Sequence, residues 1–213
     1  GYMVGSHALH DPYNRNGVDV HADGSWELGY GNKFPHSGIA SLNRGYNIDF
    51  STTFGNAYLN IDGETIISTS GENLMEDLNV FLFSNQYQGA SCTIGKMYSC
   101  KIYDNVDSLV RCFVPCYRIL DNVVGMYDTV EGKFYHSCGP EEFTCGNEIT
   151  RETPIFFDEF YETYTLLDYI ESTGAQQIDT GIYFNPDIDS FEVTYKSSRL
   201  GQNGMILASK IAN

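Results

Sequence analysis

This 213-residue sequence predicts an all-β antiparallel sandwich, and three observations carry that expectation. Within residues 95–146, apolar and polar side chains alternate through Met97, Ser99, Lys101 and Tyr103, and again around Leu109, Arg111, Phe113 and Pro115. That is the period of half-buried strands. Asp104-Asn105, Asp121-Asn122, Glu131-Gly132 and Gly139-Pro140 cut the stretch at intervals of roughly 8–17 residues, the rhythm of strands joined by turns. The composition agrees: 16 Tyr, 13 Phe and 21 Gly favour strands and turns over helices.

In chain order, residues 1–10 read as a strand closing with His7 and His10, and residues 11–17 as a loop. Val18, Val20, Trp26 and Leu28 alternate on either side of the turn Ala22-Asp23-Gly24-Ser25, which predicts a hairpin over 18–30. Residues 45–53 form the next strand. Residues 56–67 form a second hairpin, with Ala57, Leu59 and Ile61 before the turn Asp62-Gly63 and Thr65 and Ile67 after it. The one helical turn expected lies at 72–77. Strands follow at 79–83 and 93–103. Residues 147–163 change character: carboxylates alternate with aromatics around one Pro, which reads as a connection with an edge strand at 155–157. Strands then return at 166–170, 177–180 and 191–196, with a turn at Ser172-Thr173-Gly174.

Two blocks resemble a known family. The run KIYDN, LVR, PCYR, DNVVGMYD and GKFY, within residues 101–135, is similar to the C-terminal half of concanavalin A-like (laminin-G-like) jelly-roll domains. Such domains occur in surface proteins of gut bacteria and in tail or virion proteins of their phages, crAss-like phages among them. YTLLDYIESTGAQQIDTGI, residues 164–182, resembles the N-terminal signature of the same domain, so the two halves stand in reversed order. Gly1 to His7 also lines up with Gly204 to Lys210. The resemblance therefore implies a jelly roll divided as 1–147 (its rear three-quarters), 148–163 (a linker) and 164–213 (front strands). Those front strands either begin the next repeat of a tandem array or complete the same domain by circular permutation, which is tolerated where termini lie close together at the surface.

Charge and cysteines narrow the function. With 28 acidic against 12 basic residues the net charge is −16, a surface that repels phosphate backbones and anionic lipid and so disfavours nucleic acid and membrane as partners. No stretch reaches the ~18 consecutive apolar residues of a spanning helix. None of the six cysteines forms a Cys-x-x-Cys pair, which argues against a zinc ribbon. Cys138 and Cys145 flank Gly139-Pro140-Glu141-Glu142, where either a cross-strand disulfide or two small buried thiols fit.

Candidate chemistry is sparse. Asp158, Glu159 and Glu162 lack the i, i+2, i+4 spacing that would turn three carboxylates to one face of a strand, as a jelly-roll glycosidase requires. His7, His10 and Asp11 could hold a metal only beyond a strand end. No phosphate loop and no nucleophile elbow is present. Binding remains. Sugar sites on β-sandwiches use aromatics that stack on pyranose faces beside Asp and Asn acceptors. Trp26, Tyr30, Tyr13 and Asp11 are the candidates, the alternative for Trp26 being a place in the core. Related laminin-G-like domains hold calcium at the sheet rim, for which Asp62, Asp77 and Asp128 are the residues to consider, although their spacing forms no EF-type loop.

The expected function is a non-enzymatic carbohydrate-binding module of a surface or virion appendage, outside the cell or on the virion. Its partners would be host or environmental glycans and neighbouring repeats or virion subunits, in a homo-oligomer. A structural spacer and a glycoside hydrolase are the competing readings.

Overall fold

The structure, a computed structural model, describes residues 15–53, 55–71, 78–84, 92–150, 158–184, 190–200 and 204–210. The expected strand at 1–10, the helical turn at 72–77 and the edge strand at 155–157 lie outside the described residues.

The strands in order are β1 (Arg15–Val20), β2 (Trp26–Gly31), β3 (His36–Ser37), β4 (Gly45–Thr53), β5 (Asn56–Ile61), β6 (Glu64–Ser70), β7 (Leu78–Leu82), β8 (Ile94–Tyr103), β9 (Leu109–Arg118), β10 (Val123–Asp128), β11 (Lys133–His136) and β12 (Thr144–Cys145). A helix, α1 (Asp158–Thr163), precedes β13 (Tyr164–Leu166), β14 (Ile170–Thr173), β15 (Ile178–Phe184), β16 (Ser190–Ser197) and β17 (Gly204–Lys210). Every pairing between these strands is antiparallel.

The chain is nearly all β and forms a sandwich of two sheets. The smaller runs β15-β7-β17-β1-β2-β3. The larger runs β11-β10-β9-β8-β16-β4-β5-β6, with β12, β13 and β14 joined beside β8 and β9. One apolar core lies between them. Val18, Leu28, Leu82 and Ile206 enter from the small sheet, and Ile48, Leu59, Ile102, Phe113 and Phe191 from the large one. Phe50 and Phe191, directly opposite each other on β4 and β16, stack at 5.6 Å. Such an aromatic pair adds about 0.5–1.5 kcal/mol beyond its burial.

Two strands of residues 164–213, β16 and β17, are interior to the sheets, whereas β15 is the edge of the small one. β16 pairs with β8 on one side and β4 on the other, and β17 pairs with β1 and β7. β14 extends β8 at its start.

Local sequence sets the turns. Asp62 (φ 54°) and Gly63 (φ 85°) are both left-handed, the two-residue turn expected between β5 and β6. Gly24 (φ 86°) closes the turn between β1 and β2.

Two features depart from the alternation read in the sequence. In β8, Met97 and Cys100 both face the core, and the partner register shifts between Thr194 and Tyr195, so a bulge at Tyr98 reverses the phase. Met97 therefore points inward while Ser99, Lys101 and Tyr103 point outward. The second departure is α1, which falls within the segment read as a connection. Its Phe160 is buried with Val114, Cys116 and Leu166 in a small separate core and meets Tyr127 at 4.9 Å. This core covers the outer face of the large sheet over β9, whereas the outer face of β8, β16, β4 and β5 stays open.

Candidate functional site

The open part of the large sheet carries an ordered polar lattice. On β4 the buried residues Tyr46, Ile48 and Phe50 alternate with outward Asn47, Asp49 and Ser51. On β16 Phe191, Val193 and Tyr195 alternate with outward Ser190, Glu192 and Thr194. The strand register aligns these into three rows. Ser99, Thr194 and Asn47 form the first, Lys101, Glu192, Asp49 and Asn60 the second, and Tyr103, Ser190, Ser51 and Tyr58 the third.

Hydrogen bonds tie neighbours within the first two rows across the strands. Ser99 donates to the Thr194 hydroxyl (3.2 Å), which in turn donates to the Asn47 side-chain oxygen (3.2 Å). Lys101 Nζ donates to Glu192 (2.8 Å), and this bond holds the ammonium above its usual pKa. Asn60 Nδ2 donates to Asp49 (3.1 Å) and its oxygen accepts from Thr65 (2.6 Å). Glu192 and Asp49 are direct cross-strand neighbours, a pairing of like charges that costs stability unless each has its own donor. Lys101 and Asn60 are those donors. Burial, followed by the charge of Glu192, pushes the Tyr103 phenol upward in pKa.

Asn47, Asp49, Ser99, Lys101, Glu192 and Thr194 line a shallow depression of about 310 Å³ on this face. Tyr103 and Tyr58, the latter 37% exposed, stand at the two ends of the adjoining row. The arrangement offers both acceptors and donors in a plane, with an aromatic ring at either end.

Of the residues expected to bind sugar, the two that are described, Trp26 and Tyr30, lie elsewhere. Trp26 is 2% exposed and meets Tyr46 edge-on at 5.1 Å, and Tyr30 is fully enclosed. Both sit in the inward phase of β2, so neither presents a ring face to solvent. Tyr13 and Asp11 lie outside the described residues, as do His7, His10 and Asp77. A second depression, where the edge of Trp26 meets Arg44, Tyr46, Asp62 and Glu64, lies at the rim between β3 and β6.

The remaining candidates are accounted for by local contacts. Asp62 accepts from Arg44 (2.6 Å) and from the Asn47 amide (2.9 Å). Asp128 lies beside Arg111 at 3.2 Å. Each of these carboxylates thus has an arginine as its cationic neighbour. Glu162 is exposed on α1, and the side chains of Asp158 and Glu159 lie outside the described residues. All six cysteines are free. Cys138 and Cys145 are exposed rather than buried, Cys138 donating to the Gln177 carbonyl and Cys145 pairing with Ile170 in β12.

The polar lattice has a sequence signal that a search for aromatic-plus-acid clusters passes over. Asn47-x-Asp49, Ser99-x-Lys101 and Glu192-x-Thr194 place polar groups at i and i+2 in three separate strands, in the phase opposite to the core. What the sequence withholds is that these strands are neighbours. No protein-family model, curated protein or solved structure matches the chain.

Proposed function

We propose that this chain is a non-enzymatic carbohydrate-binding module on a concanavalin A-like jelly roll, and that the polar lattice on β8, β16, β4 and β5 is its glycan face. One observation carries the reading: a coplanar set of Asn, Asp, Ser, Thr, Lys and Glu side chains with tyrosines at its ends. Sugar hydroxyls both donate and accept, so they match a surface alternating the two, and a tyrosine ring packs on the apolar face of a pyranose. Asp49 and Glu192 are side by side and each is held by a donor, whereas hydrolysis requires two carboxyl groups on opposite sides of the scissile bond. The insertion of β16 and β17 among the other strands supports one closed, permuted domain.

Glycan-array screening followed by calorimetry on the best ligand tests the proposal. Asp49→Ala and Lys101→Ala are each expected to weaken binding about 10-fold or more, since a hydrogen bond to a charged group contributes about 1.5–3 kcal/mol. Unchanged affinity in both variants would remove the glycan face from this surface.

A structural spacer of a surface or virion fibre is the second reading. It is favoured by apolar side chains at the sheet ends: Val106 (72% exposed) and Val130 at one, Ile119 and Leu120 (89% exposed) at the other. Domains stacked end to end would cover them. Such a spacer would show no glycan binding and would self-associate.

A further inference from the structure

On the opposite side of the molecule from the glycan face, three side chains converge from separate places in the fold. His21 lies in the turn after β1, fixed by hydrogen bonds from its amide to the Ser25 carbonyl (2.9 Å) and from the Gly24 amide to its own carbonyl (2.9 Å). Glu27 is on β2, in the phase opposite to Trp26 and Leu28, yet only 3% exposed. His36 is directly across from Glu27 on the two-residue strand β3. His21 Nε2 and His36 Nε2 approach the same oxygen, Glu27 Oε2, at 2.7 and 3.0 Å, and the two imidazoles meet edge-on at 4.1 Å.

The hydrogen bonds behind His36 decide what its Nε2 offers. Ser25 Oγ is 2.6 Å from Asp23 Oδ1, and a carboxylate only accepts, so the single hydroxyl proton of Ser25 points there. The other contact of Ser25 Oγ, to His36 Nδ1 at 3.3 Å, must then carry a proton from the imidazole. With Nδ1 protonated, a neutral His36 turns the Nε2 lone pair toward the Glu27 carboxylate. A cation between them removes that repulsion, and the cation is either a second proton or a metal ion. A carboxylate–hydroxyl–imidazole chain of this kind is the outer support typical of metal-binding histidines.

We propose that His21, Glu27 and His36 form a binding site for a divalent transition metal of the zinc class. Two imidazoles and one carboxylate match zinc and disfavour calcium or magnesium, which take oxygen ligands. All three ligand atoms lie within 4.8 Å of one another. Zinc bonds of about 2.0–2.1 Å place tetrahedral ligands about 3.3 Å apart, so the two imidazole–carboxylate approaches of 2.7 and 3.0 Å would have to widen by about 0.6 and 0.3 Å. His36 is 40% exposed, which leaves the fourth position to water or to a donor from a bound partner. The ion would clip β3, held to β2 by only two residue pairs, onto the edge of the small sheet.

The test is a Zn²⁺ titration of the whole chain carrying Cys138→Ser and Cys145→Ser, because those exposed thiols would compete for the ion. One equivalent is expected to bind, and the melting temperature to rise with it. His36→Ala is expected to weaken binding by at least about 100-fold, and Ser25→Ala by about 10- to 100-fold through its support of His36. Co²⁺ added to the same Cys138→Ser, Cys145→Ser protein is expected to give the visible bands of a tetrahedral nitrogen–oxygen site, a readout that needs no substitution among the proposed ligands. Absence of stoichiometric binding, equal binding in His36→Ala, or a solvent-like Co²⁺ spectrum would overturn the proposal. Glycan affinity plays no part in these readouts.

Discussion

Asp128 has no exposed surface, and its carboxylate accepts from the amides of Cys112 (2.9 Å) and Val130 (3.0 Å) beside the Arg111 guanidinium. It therefore joins β9 to the turn after β10. Asp128→Ala leaves two amides without their acceptor and removes one of the two carboxylates beside Arg111, the other being Glu131 at 3.3 Å, and is expected to cost about 2–3 kcal/mol, the effect of leaving buried donors unsatisfied. Urea denaturation measures it, and a loss below about 1 kcal/mol would show that water takes over the role. The thiols illustrate the same dependence on environment: burial pushes Cys116 up to about 12, far from a reactive thiolate. Some of this was legible in the sequence. The alternation of Val18, Val20, Trp26 and Leu28 directs Trp26 inward, and the structure encloses it. The partners of Asp128 and the His21–Glu27–His36 cluster were not legible, because each depends on a cross-strand register that spacing alone does not give.

At the scale of the element, β8 is the strand on which the most depends. It pairs with β16 along most of its length, with β14 at its start and with β9 at its end. The bulge at Tyr98 lets Met97 and Cys100 both face the core while Ser99 and Lys101 reach the polar lattice. Periodicity cannot reveal such a bulge, since one inserted residue looks like a continued strand until the partner is known. Gly95 shows how closely β8 is packed. A Cβ there would fall inside the Tyr195 side chain, whose hydroxyl bonds Thr93 Oγ1 (2.8 Å) and the Ile94 carbonyl (3.1 Å). Gly95→Ala is expected to lower stability by about 1–3 kcal/mol through overpacking, measured by thermal denaturation. An unchanged melting temperature would mean that Tyr195 has another place to go. The turn of the β5–β6 hairpin was legible, because Asp62-Gly63 between alternating apolar residues defines it without reference to the rest of the fold, but the bulge at Ile66 that puts Thr65 and Ile67 on opposite faces was not. The helix α1 was not, because Phe160 is drawn into place by Tyr127 and Tyr164, residues from strands the segment does not announce.

For the molecule as a whole, the order of strands in space matters more than their order in sequence. β16 and β17 come near the end of the chain yet sit in the interior of the two sheets, so ending the chain at residue 163 would leave β4, β8, β1 and β7 with open edges. That truncation is expected to abolish cooperative unfolding, followed by near-ultraviolet circular dichroism during heating. A sharp transition in the shortened chain would contradict the closed arrangement. The same insertion creates the polar lattice, since Glu192 and Thr194 on β16 link Lys101 and Ser99 on β8 to Asp49 and Asn47 on β4. The measurement that tests the central claim most directly is amide chemical-shift mapping with the best ligand from a glycan array. Shifts concentrated at Asn47, Asp49, Ser99, Lys101, Glu192 and Thr194 are the result expected. Shifts confined to the depression beside Trp26 and Arg44, or no glycan that binds at all, would contradict it.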